Sequence, residues 1–221
     1  MIQTRRPLAR ADLRHRLLEN FSCDLARFAD REKGSRWRRL AIVATTQGVW
    51  AVAVYRFGRW VHTRSPRGAR LPLKVAYHVA QKAVEVTTGI QIPASCVIGP
   101  GLYIGHFGAV LVHGEVRMGS DCSLSQDTTI GTAGLGRAGA PVLGDGVYVA
   151  AGARVLGPIQ IGDRAVVGAN AVVLCDVPAE ATAVGVPARV IVRARRDDSA
   201  DPVTTVRVAP GLARAGSRST E

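Results

Sequence analysis

The sequence predicts a mainly β protein, in which a parallel β-helix follows an α-helical N-terminal region. From residue 92 onward, aliphatic residues return every six positions, a period that fits neither an α-helix nor a simple strand alternation. Glycine accounts for 24 of the 221 residues, whereas aromatic residues make up only 5%. This composition suits a backbone that turns often around small aliphatic side chains. Apolar residues reach 47%, which is enough for a core and excludes wholesale disorder.

Three amphipathic helices are expected before residue 89. In residues 13–28 the apolar positions recur every three or four residues, which is one stripe of a helix. A second helix is predicted over about residues 37–61 and is broken by Ser-Pro-Arg-Gly at 65–68. A third is predicted over about residues 73–87 and ends at Gly89. We interpret these helices as packing and assembly elements.

The β-helix is predicted from thirteen repeats of one six-residue template. Its aliphatic positions are Ile92, Ile98, Ile104, Val110, Met118, Leu124, Ile130, Leu143, Val149, Val155, Ile161, Val167 and Val173. Small or aliphatic residues stand four places later, so three short strands per coil would point both positions inward. Glycine often follows the aliphatic residue and is expected to form a tight corner. Two interruptions are visible: a two-residue slip between Val110 and Met118, and a loop at 133–141.

The cysteines predict neither a metal site nor a disulfide framework. No CxxC pair exists, and Cys96 and Cys122 occupy inward positions of the template, so both are expected in the core. The first fourteen residues are too polar for a signal peptide. The most apolar stretch, residues 40–54, is shorter than the roughly 20 residues that a spanning helix needs. We expect a reduced, cytoplasmic protein in which this stretch is a buried helix, with membrane-surface contact as a minor alternative.

The positive charge lies entirely in the N-terminal region. Residues 1–88 hold 18 Lys and Arg against 6 Asp and Glu, and residues 89–221 hold 11 of each. A basic surface can bind nucleic acid, an anionic membrane or a phosphorylated ligand. The favoured interpretation is that these Lys and Arg residues lie on solvated helix faces. No aromatic residues are interleaved with the basic ones, so nucleic-acid binding is not expected.

Five segments resemble a known family. They are residues 55–60 (YRFGRW), 98–106 (IGPGLYIGH), 129–132 (TIGT), 151–157 (AGARVLG) and 184–191 (VGVPARVI). On these segments the chain resembles the hexapeptide-repeat acyltransferases, and more narrowly the serine acetyltransferases. The resemblance implies a left-handed β-helix and acetyl-CoA as the acyl donor. It also implies a homotrimer whose active sites lie between neighbouring β-helices.

The resemblance identifies His106 as the catalytic base. A hydroxyl is a poor nucleophile at neutral pH, so a base must take its proton as it attacks a thioester. Judged from the residues alone, a surface imidazole at a β-helix corner is an equal alternative. His113 is a candidate for acceptor contact, with a plain exposed side chain as the favoured alternative. Acetyl-CoA is expected along the later coils, and the candidate residues are Gly131, Thr132, Ala150, Ala151, Gly168, Ala169 and Arg189.

The sequence departs from the family at the positions that would bind an amino acid. Gln91 stands where the family has an Asp that orients the base, and Gly105 stands where it has an Asp that contacts the substrate. Gly139 and Ala140 replace an Arg-His pair before the end of the loop, although Arg137 lies close by. A site that is specific for a zwitterion should place an opposite charge beside its ammonium group and another beside its carboxylate. The expected acceptor is therefore a saccharide or another non-zwitterionic alcohol. The alternatives are L-serine, or a β-helix scaffold without activity.

Three regions are expected along the chain. They are the helical region 1–88, the β-helix 89–192 and a mobile tail 193–221 without periodicity. The resemblance places a C-terminal Ile on those serine acetyltransferases that dock onto the next enzyme of cysteine synthesis. This chain ends in Ser-Thr-Glu, so that partnership is not expected.

Overall fold

The computed structural model describes residues 17–30, 45–134, 138–192 and 207–208. Three α-helices precede the strands within these ranges: α1 (Leu17–Asp30), α2 (Gln47–Arg64) and α3 (Arg70–Thr88). A short 3-10 turn, Arg67–Ala69, connects α2 to α3. None of these helices is both long enough and apolar enough to cross a membrane.

The helix predictions are confirmed with one correction. The segments 13–16 and 31–44 lie outside the described residues. The second predicted helix does not run unbroken from residue 37, because Thr46 has an extended backbone, with φ −93° and ψ 108°, and α2 starts after it. Threonine is β-branched and favours extended backbone, which explains a boundary there. α3 ends as predicted at Gly89, whose φ of 70° places it in the left-handed region.

Sixteen short strands follow in the described part of the chain. They are β1 (Ile90–Gln91), β2 (Val97–Ile98), β3 (Tyr103–Ile104), β4 (Val110–Val112), β5 (Arg117–Met118), β6 (Ser123–Leu124), β7 (Thr129–Gly131), β8 (Val142–Leu143), β9 (Tyr148–Val149), β10 (Arg154–Leu156), β11 (Gln160–Ile161), β12 (Val166–Val167), β13 (Val172–Val173), β14 (Thr182–Val184), β15 (Arg189–Val192) and β16 (Arg207–Val208).

The strands form the three faces of a parallel β-helix. Sheet A has the order β1-β4-β7-β10-β13, and sheet B has the order β2-β5-β8-β11. Sheet C runs β3-β6-β9-β12-β14 and ends in the antiparallel strands β15 and β16. Each coil contributes one strand to every sheet in turn. Side chains of neighbouring coils therefore stack in columns, with about 4.8 Å between one coil and the next.

The interior of the β-helix confirms the six-residue template. All thirteen aliphatic positions are buried, none more than 5% exposed. Cys96 and Cys122 are fully buried, as predicted. Repetitive aliphatic stacking from coil to coil therefore makes the core, and burial of this apolar surface is the main favourable term in folding.

In the structure, the two extra residues lie at a different corner from the one that the sequence predicted. Val112, not Val110, pairs with Ile130 of the next coil, while Ile104 pairs with Leu124. Five residues separate Ile104 from Val110, whereas three separate Leu124 from Thr128, the residue level with Val110. The extra residues therefore lie at the corner between sheets C and A. This corner contains His106.

The glycines after the aliphatic residues are required by close packing between coils and not, as expected, by a tight corner. Gly119 and its counterparts in neighbouring coils are stacked so closely that a Cβ atom at Gly119 would lie 2.7 Å from the carbonyl carbon of Gly144. Their φ angles are not in the left-handed region. Close packing of the coils, and not the turn itself, requires glycine here.

Helices α1 and α2 are fastened to the first coil by a buried ion pair. The guanidinium of Arg56 donates to both carboxylate oxygens of Asp24, at 2.8 and 3.0 Å, and to the carbonyl oxygens of Ile98 and Gly99. The carboxylate of Asp24 also accepts the backbone N–H of Leu102. Both side chains are almost fully buried. The pair thus ties two helices to the corner that leads into sheet C.

Candidate active site

His106 lies on a corner that projects from the β-helix between sheets C and A. The N–H of Gly105 donates to the carbonyl of Leu124 at 3.2 Å, and the N–H of Asp127 donates to the carbonyl of Gly108 at 3.0 Å. His106 and Phe107 fall between these two anchoring bonds and have no counterparts in the next coil. Both side chains are exposed, Phe107 by 62%. The insertion therefore presents an imidazole to solvent on a fixed backbone.

Small residues continue the same edge through the later coils. Gly105 is level with Ser125, Ala150 and Gly168, because each follows a residue paired in sheet C. Ala151 and Ala169 come next at the corner. Four predicted cofactor-binding residues, Ala150, Ala151, Gly168 and Ala169, thus share the edge with His106. Arg189 is exposed and pairs with Val184 at the far end of this edge.

Other predicted residues lie in a groove on sheet A. This groove has a volume of about 300 Å³. Gln91, His113, Gly131 and Thr132 line it together with Pro93, Leu111, Val112, Gly114, Thr129 and Ile130. His113 is exposed at the corner between sheets A and B, and Gly131 is so close that a Cβ there would lie 3.2 Å from the Cβ of His113.

The predicted loop leaves the β-helix beside this groove. Residues 132–141 connect β7 of sheet A to β8 of sheet B, and Ala140 is half-buried against the core. Arg137 lies outside the described residues. The loop therefore begins at the corner that carries His113, not at the corner that carries His106.

Gln91 lies level with the middle of β4, and its role in orienting the base stays a prediction. Gln91 faces Leu111 on sheet A, and within the described part of the chain it forms no hydrogen bond with His106. The two corners of sheet A are roughly 13 Å apart, at about 3.3 Å per residue from 109 to 113. One chain thus presents His106 at one corner of sheet A and His113 at the other, with Gln91 between the two corners.

Two polar groups in the coils around the insertion were not predicted from the sequence. The first is an ion pair between the two coils above the insertion: Nη2 of Arg154 lies 2.9 Å from Oδ1 of Asp127, and both side chains are partly exposed. The second is a set of hydroxyls on sheet C, from Tyr103, Ser125 and Tyr148, of which the last two lie 3.2 Å apart. All of these side chains point outward, where the template imposes no pattern.

The described residues contain no group of three or more His, Cys, Asp or Glu side chains arranged to hold a metal ion. The groups available beside the edge are an imidazole, an ion pair and neutral hydroxyls. These groups can move a proton and form hydrogen bonds with a small polar molecule.

The fold and the edge define a class of protein, the hexapeptide-repeat transferases. The family model described as "Bacterial transferase hexapeptide (six repeats)" matches residues 140–175. A solved structure of serine acetyltransferase in complex with CoA aligns with a TM-score of 0.65 at 28% identity. The alignment covers 79% of this chain and 69% of that chain. The fold expectation, a left-handed parallel β-helix with an N-terminal helical region, is confirmed.

Sequence relatives narrow the class to a family. The serine acetyltransferase of Mycobacterium tuberculosis is 37% identical over 153 residues, which are 69% of this chain and 64% of that protein. The serine acetyltransferase of Synechococcus elongatus is 31% identical over 182 residues, which are 80% of this chain and 70% of that protein. The chain spans about two thirds of the length of these relatives. It belongs to the serine acetyltransferase family.

Proposed function

We propose that the protein is an acetyl-CoA-dependent O-acetyltransferase with His106 as its general base. The observation that carries this proposal is the projecting corner, which holds an exposed imidazole at one end of an edge of small residues. Family membership supports the reaction class, and a relative's complex with CoA supports the donor.

The reaction requires one proton to move through His106. The acceptor hydroxyl oxygen attacks the carbonyl carbon of the thioester while the imidazole takes the hydroxyl proton. The bond between carbon and sulfur then breaks, and the departing sulfur takes the proton back from the imidazolium. The products are the acetyl ester and the free thiol of CoA.

The donor is proposed to lie along the edge from Ala150 to Ala169. Short side chains at Ala150, Ala151 and Ala169 leave the edge open, so an extended, amide-rich arm can approach the backbone. Arg189 at the far end is a cation for the nucleotide phosphates. The acetyl group would then come to rest next to His106.

L-serine is the acceptor that the relatives support, better than the saccharide expected from the sequence. The ion pair of Asp127 and Arg154 supplies the two charges that were missing at Gly105 and Ala140. Asp127 stands one coil above the insertion that carries His106, and Arg154 stands two coils above it. An exposed ion pair contributes only about 0–1 kcal/mol, so a zwitterion can replace it at small cost. We propose that Asp127 receives the ammonium group and Arg154 the carboxylate.

A neutral alcohol is the second candidate acceptor, because of Gly105. No carboxylate stands at this position beside His106, the hydroxyl of Tyr103 lies 3.7 Å from where a Cβ atom of residue 105 would be, and Ser125 stands one coil above it. Neutral hydroxyls can form hydrogen bonds with an uncharged acceptor, which needs no ionic contact. Acceptor kinetics separate the two candidates: kcat/KM above roughly 10⁴ M⁻¹s⁻¹ for L-serine supports the first, and the same value for a neutral polyol supports the second.

We also propose that each active site is shared between two subunits of a homotrimer. Within one chain the base lies on one corner, and the groove with Gln91 and His113 reaches a different corner of sheet A. Three-fold packing would bring the corner of one chain against the groove of its neighbour. This arrangement gives the acceptor walls on two sides.

The test of the function is substitution of the base. We expect His106→Ala to lower the rate of acetyl transfer about 100-fold or more, the usual contribution of a positioned general base. Release of the CoA thiol measures the rate, and circular dichroism checks the fold. His78→Ala, an exposed histidine on α3, is the matched control. Full activity of the His106 variant would refute the assignment.

A further inference from the structure

Helix α3 is apolar on two opposite sides. On its inner side Tyr77 is buried and Val84 packs against the core of the β-helix. The outer side exposes four large aliphatic residues, each 58–76% open to solvent: Leu71, Val75, Val79 and Val86. They are four, four and seven residues apart, so they follow one face of the helix over about 22 Å. We call these four residues the outer stripe.

The outer stripe differs from an ordinary solvated helix face. Exposed apolar residues normally stand alone, whereas a continuous apolar patch marks a binding surface. Helix stability does not account for the stripe either, since valine is a poorer helix former than the Glu, Lys or Gln that exposed positions usually hold. Three of the four residues are valines. The stripe is therefore suited to a partner that is less polar than water.

Positive charge accompanies the outer stripe. Arg70 and Lys74, which we call the basic border, lie along one side of the stripe, and Lys82 lies within it. Nη2 of Arg70 donates to the carbonyl of His62 on α2 at 3.1 Å, which holds this cation at the turn between the two helices. Burial and the nearby charges of Lys74 and Arg70 lower the pKa of His62. Glu85, the only acidic residue of α3, pairs with Lys82 at 2.9 Å.

We propose that α3 binds the surface of an anionic lipid bilayer, with the outer stripe among the acyl chains and the basic border at the headgroups. An apolar face flanked by Lys and Arg is the feature by which a helix lies in a membrane interface. The helical region as a whole has the complementary charge, because residues 1–88 hold 18 Lys and Arg against 6 Asp and Glu. Anionic lipid supplies both phosphates for the border and an apolar layer for the stripe.

Two other partners fit this face less well. A nucleic acid offers phosphates but no apolar layer for the valines. A second copy of the chain would cover the outer stripe but would also bury Lys82 within the contact, and burial of a charge costs free energy. At a membrane the long side chain of Lys82 can reach the headgroups while its stem stays in the apolar layer.

Co-sedimentation of the full chain with lipid vesicles tests the membrane contact. Vesicles of phosphatidylcholine alone are compared with vesicles of equal parts phosphatidylcholine and phosphatidylglycerol. We expect binding to the anionic vesicles to be about tenfold tighter or more, because several Lys and Arg side chains face the negative surface. High salt should remove most of this difference, since it screens the attraction.

Paired variants separate the two parts of the face. Val75→Gln with Val79→Gln should weaken binding to anionic vesicles about tenfold or more, because two apolar side chains no longer leave water. Arg70→Gln with Lys74→Gln should weaken it by about tenfold on anionic vesicles and leave neutral vesicles unaffected. Glutamine is a good helix former, so the fold should persist, and circular dichroism checks it. Val142→Gln, at an exposed valine of β8, is the matched control and should change neither.

Three results would overturn the proposal. The first is equal binding to both kinds of vesicle, or binding that the valine variant does not weaken. The second is weaker binding in the variant of the basic border alone, which would indicate a general site for polyanions. The third is a lower molecular mass of the valine variant in light scattering, since the outer stripe would then be covered by a second copy. His106→Ala should bind vesicles like the wild type, so membrane binding and acetyl transfer are tested separately.

Discussion

His106 owes its exposed position to an irregularity in the repeat. A regular coil would place a corner residue flush with its neighbours above and below. The extra residues at this corner push His106 and Phe107 outward between two backbone hydrogen bonds. The neighbouring coils have only Ser125, Gln126 and small residues at the same level. The imidazole therefore stands out from the edge without a long or flexible side chain beneath it.

Ala169 provides the sharpest test of the donor path at the scale of one residue. Its side chain is exposed on the edge, so Ala169→Leu adds bulk there without entering the core. We expect about a tenfold rise in the KM for acetyl-CoA and unchanged thermal stability. Gly168 is unsuitable for this purpose, because a Cβ there would lie 2.8 Å from Cγ1 of Val184. Ala179→Leu, exposed at a different corner, is the control. An unchanged KM would place the donor elsewhere.

Three buried weak acids predict how stability depends on alkaline pH. Burial raises the pKa of the Cys96 and Cys122 thiols to about 12, and it raises the pKa of the Tyr55 hydroxyl to about 12 as well. The unfolded chain loses these protons at lower pH, from about pH 8.5 for a thiol and about pH 10 for a phenol. The folded state therefore keeps protons that the unfolded state releases, and stability must fall as pH rises through this range.

The melting temperature should accordingly decline from about pH 9 toward pH 12, beyond what exposed groups alone produce. Melting curves at several pH values, followed by circular dichroism, measure this decline. Cys122→Ala removes one of the three groups and should make the decline shallower. A melting temperature that stays constant between pH 8 and pH 11 would contradict the predicted shifts.

At the scale of elements, the helices and the β-helix are joined by polar contacts as well as by apolar ones. Arg27 of α1 donates to the carbonyls of Gly101 and Cys122, beside the buried pair of Asp24 and Arg56. Tyr55 of α2 donates to the carbonyl of Cys96 and accepts the N–H of Ile98. These bonds cap backbone groups of the first two coils. They also hold α1 against Tyr103, whose ring centroid lies 4.7 Å from that of Phe28.

We expect Arg56→Ala to destabilise the protein by about 3–5 kcal/mol, the usual effect of leaving one partner of a buried ion pair uncompensated. The carboxylate of Asp24 would remain buried with only the N–H of Leu102 as a partner in the described structure. Urea unfolding measures the change. Lys82→Ala, which breaks an exposed pair with Glu85, is the control and should cost no more than about 0.5 kcal/mol. A loss below 1 kcal/mol for Arg56→Ala would show that the helices dock without this pair.

The sequence predicted the inward half of the molecule better than its outward half. Inward positions repeat because every coil must fill the same prism, so Ile98, Val149 and the other aliphatic positions were found by their period. Outward residues such as Asp127, Arg154 and Tyr148 obey no period. Their levels relative to His106 depend on the register between coils, and placing the two extra residues at the wrong corner gave the wrong register. The spacing of six from Val112 to Met118 was the signal that could have corrected it.

The orienting role of Gln91 stays a prediction that was transferred by resemblance. Its place in the chain suggested that it orients the base, yet the structure puts it opposite Leu111 in the groove of sheet A. A role beside His106 would require the acceptor, or a neighbouring chain, to bring the two sides together. Whether Gln91 and His113 act together with His106 therefore depends on how the chains assemble.

The last prediction tests whether two chains complete one active site. We expect light scattering to give three times the 23.4 kDa mass of the chain. His106→Ala removes the base from one side, and Thr132→Trp blocks the groove on the other side with a bulky group at an exposed position. Each variant alone should be inactive. When both are unfolded together and refolded as a mixture, random three-fold assembly should pair an intact corner with an intact groove at about a quarter of the interfaces. Roughly a quarter of the wild-type activity should then return, whereas variants refolded separately and mixed afterwards should stay inactive. No recovery from the refolded trimer would mean that each chain completes its own site.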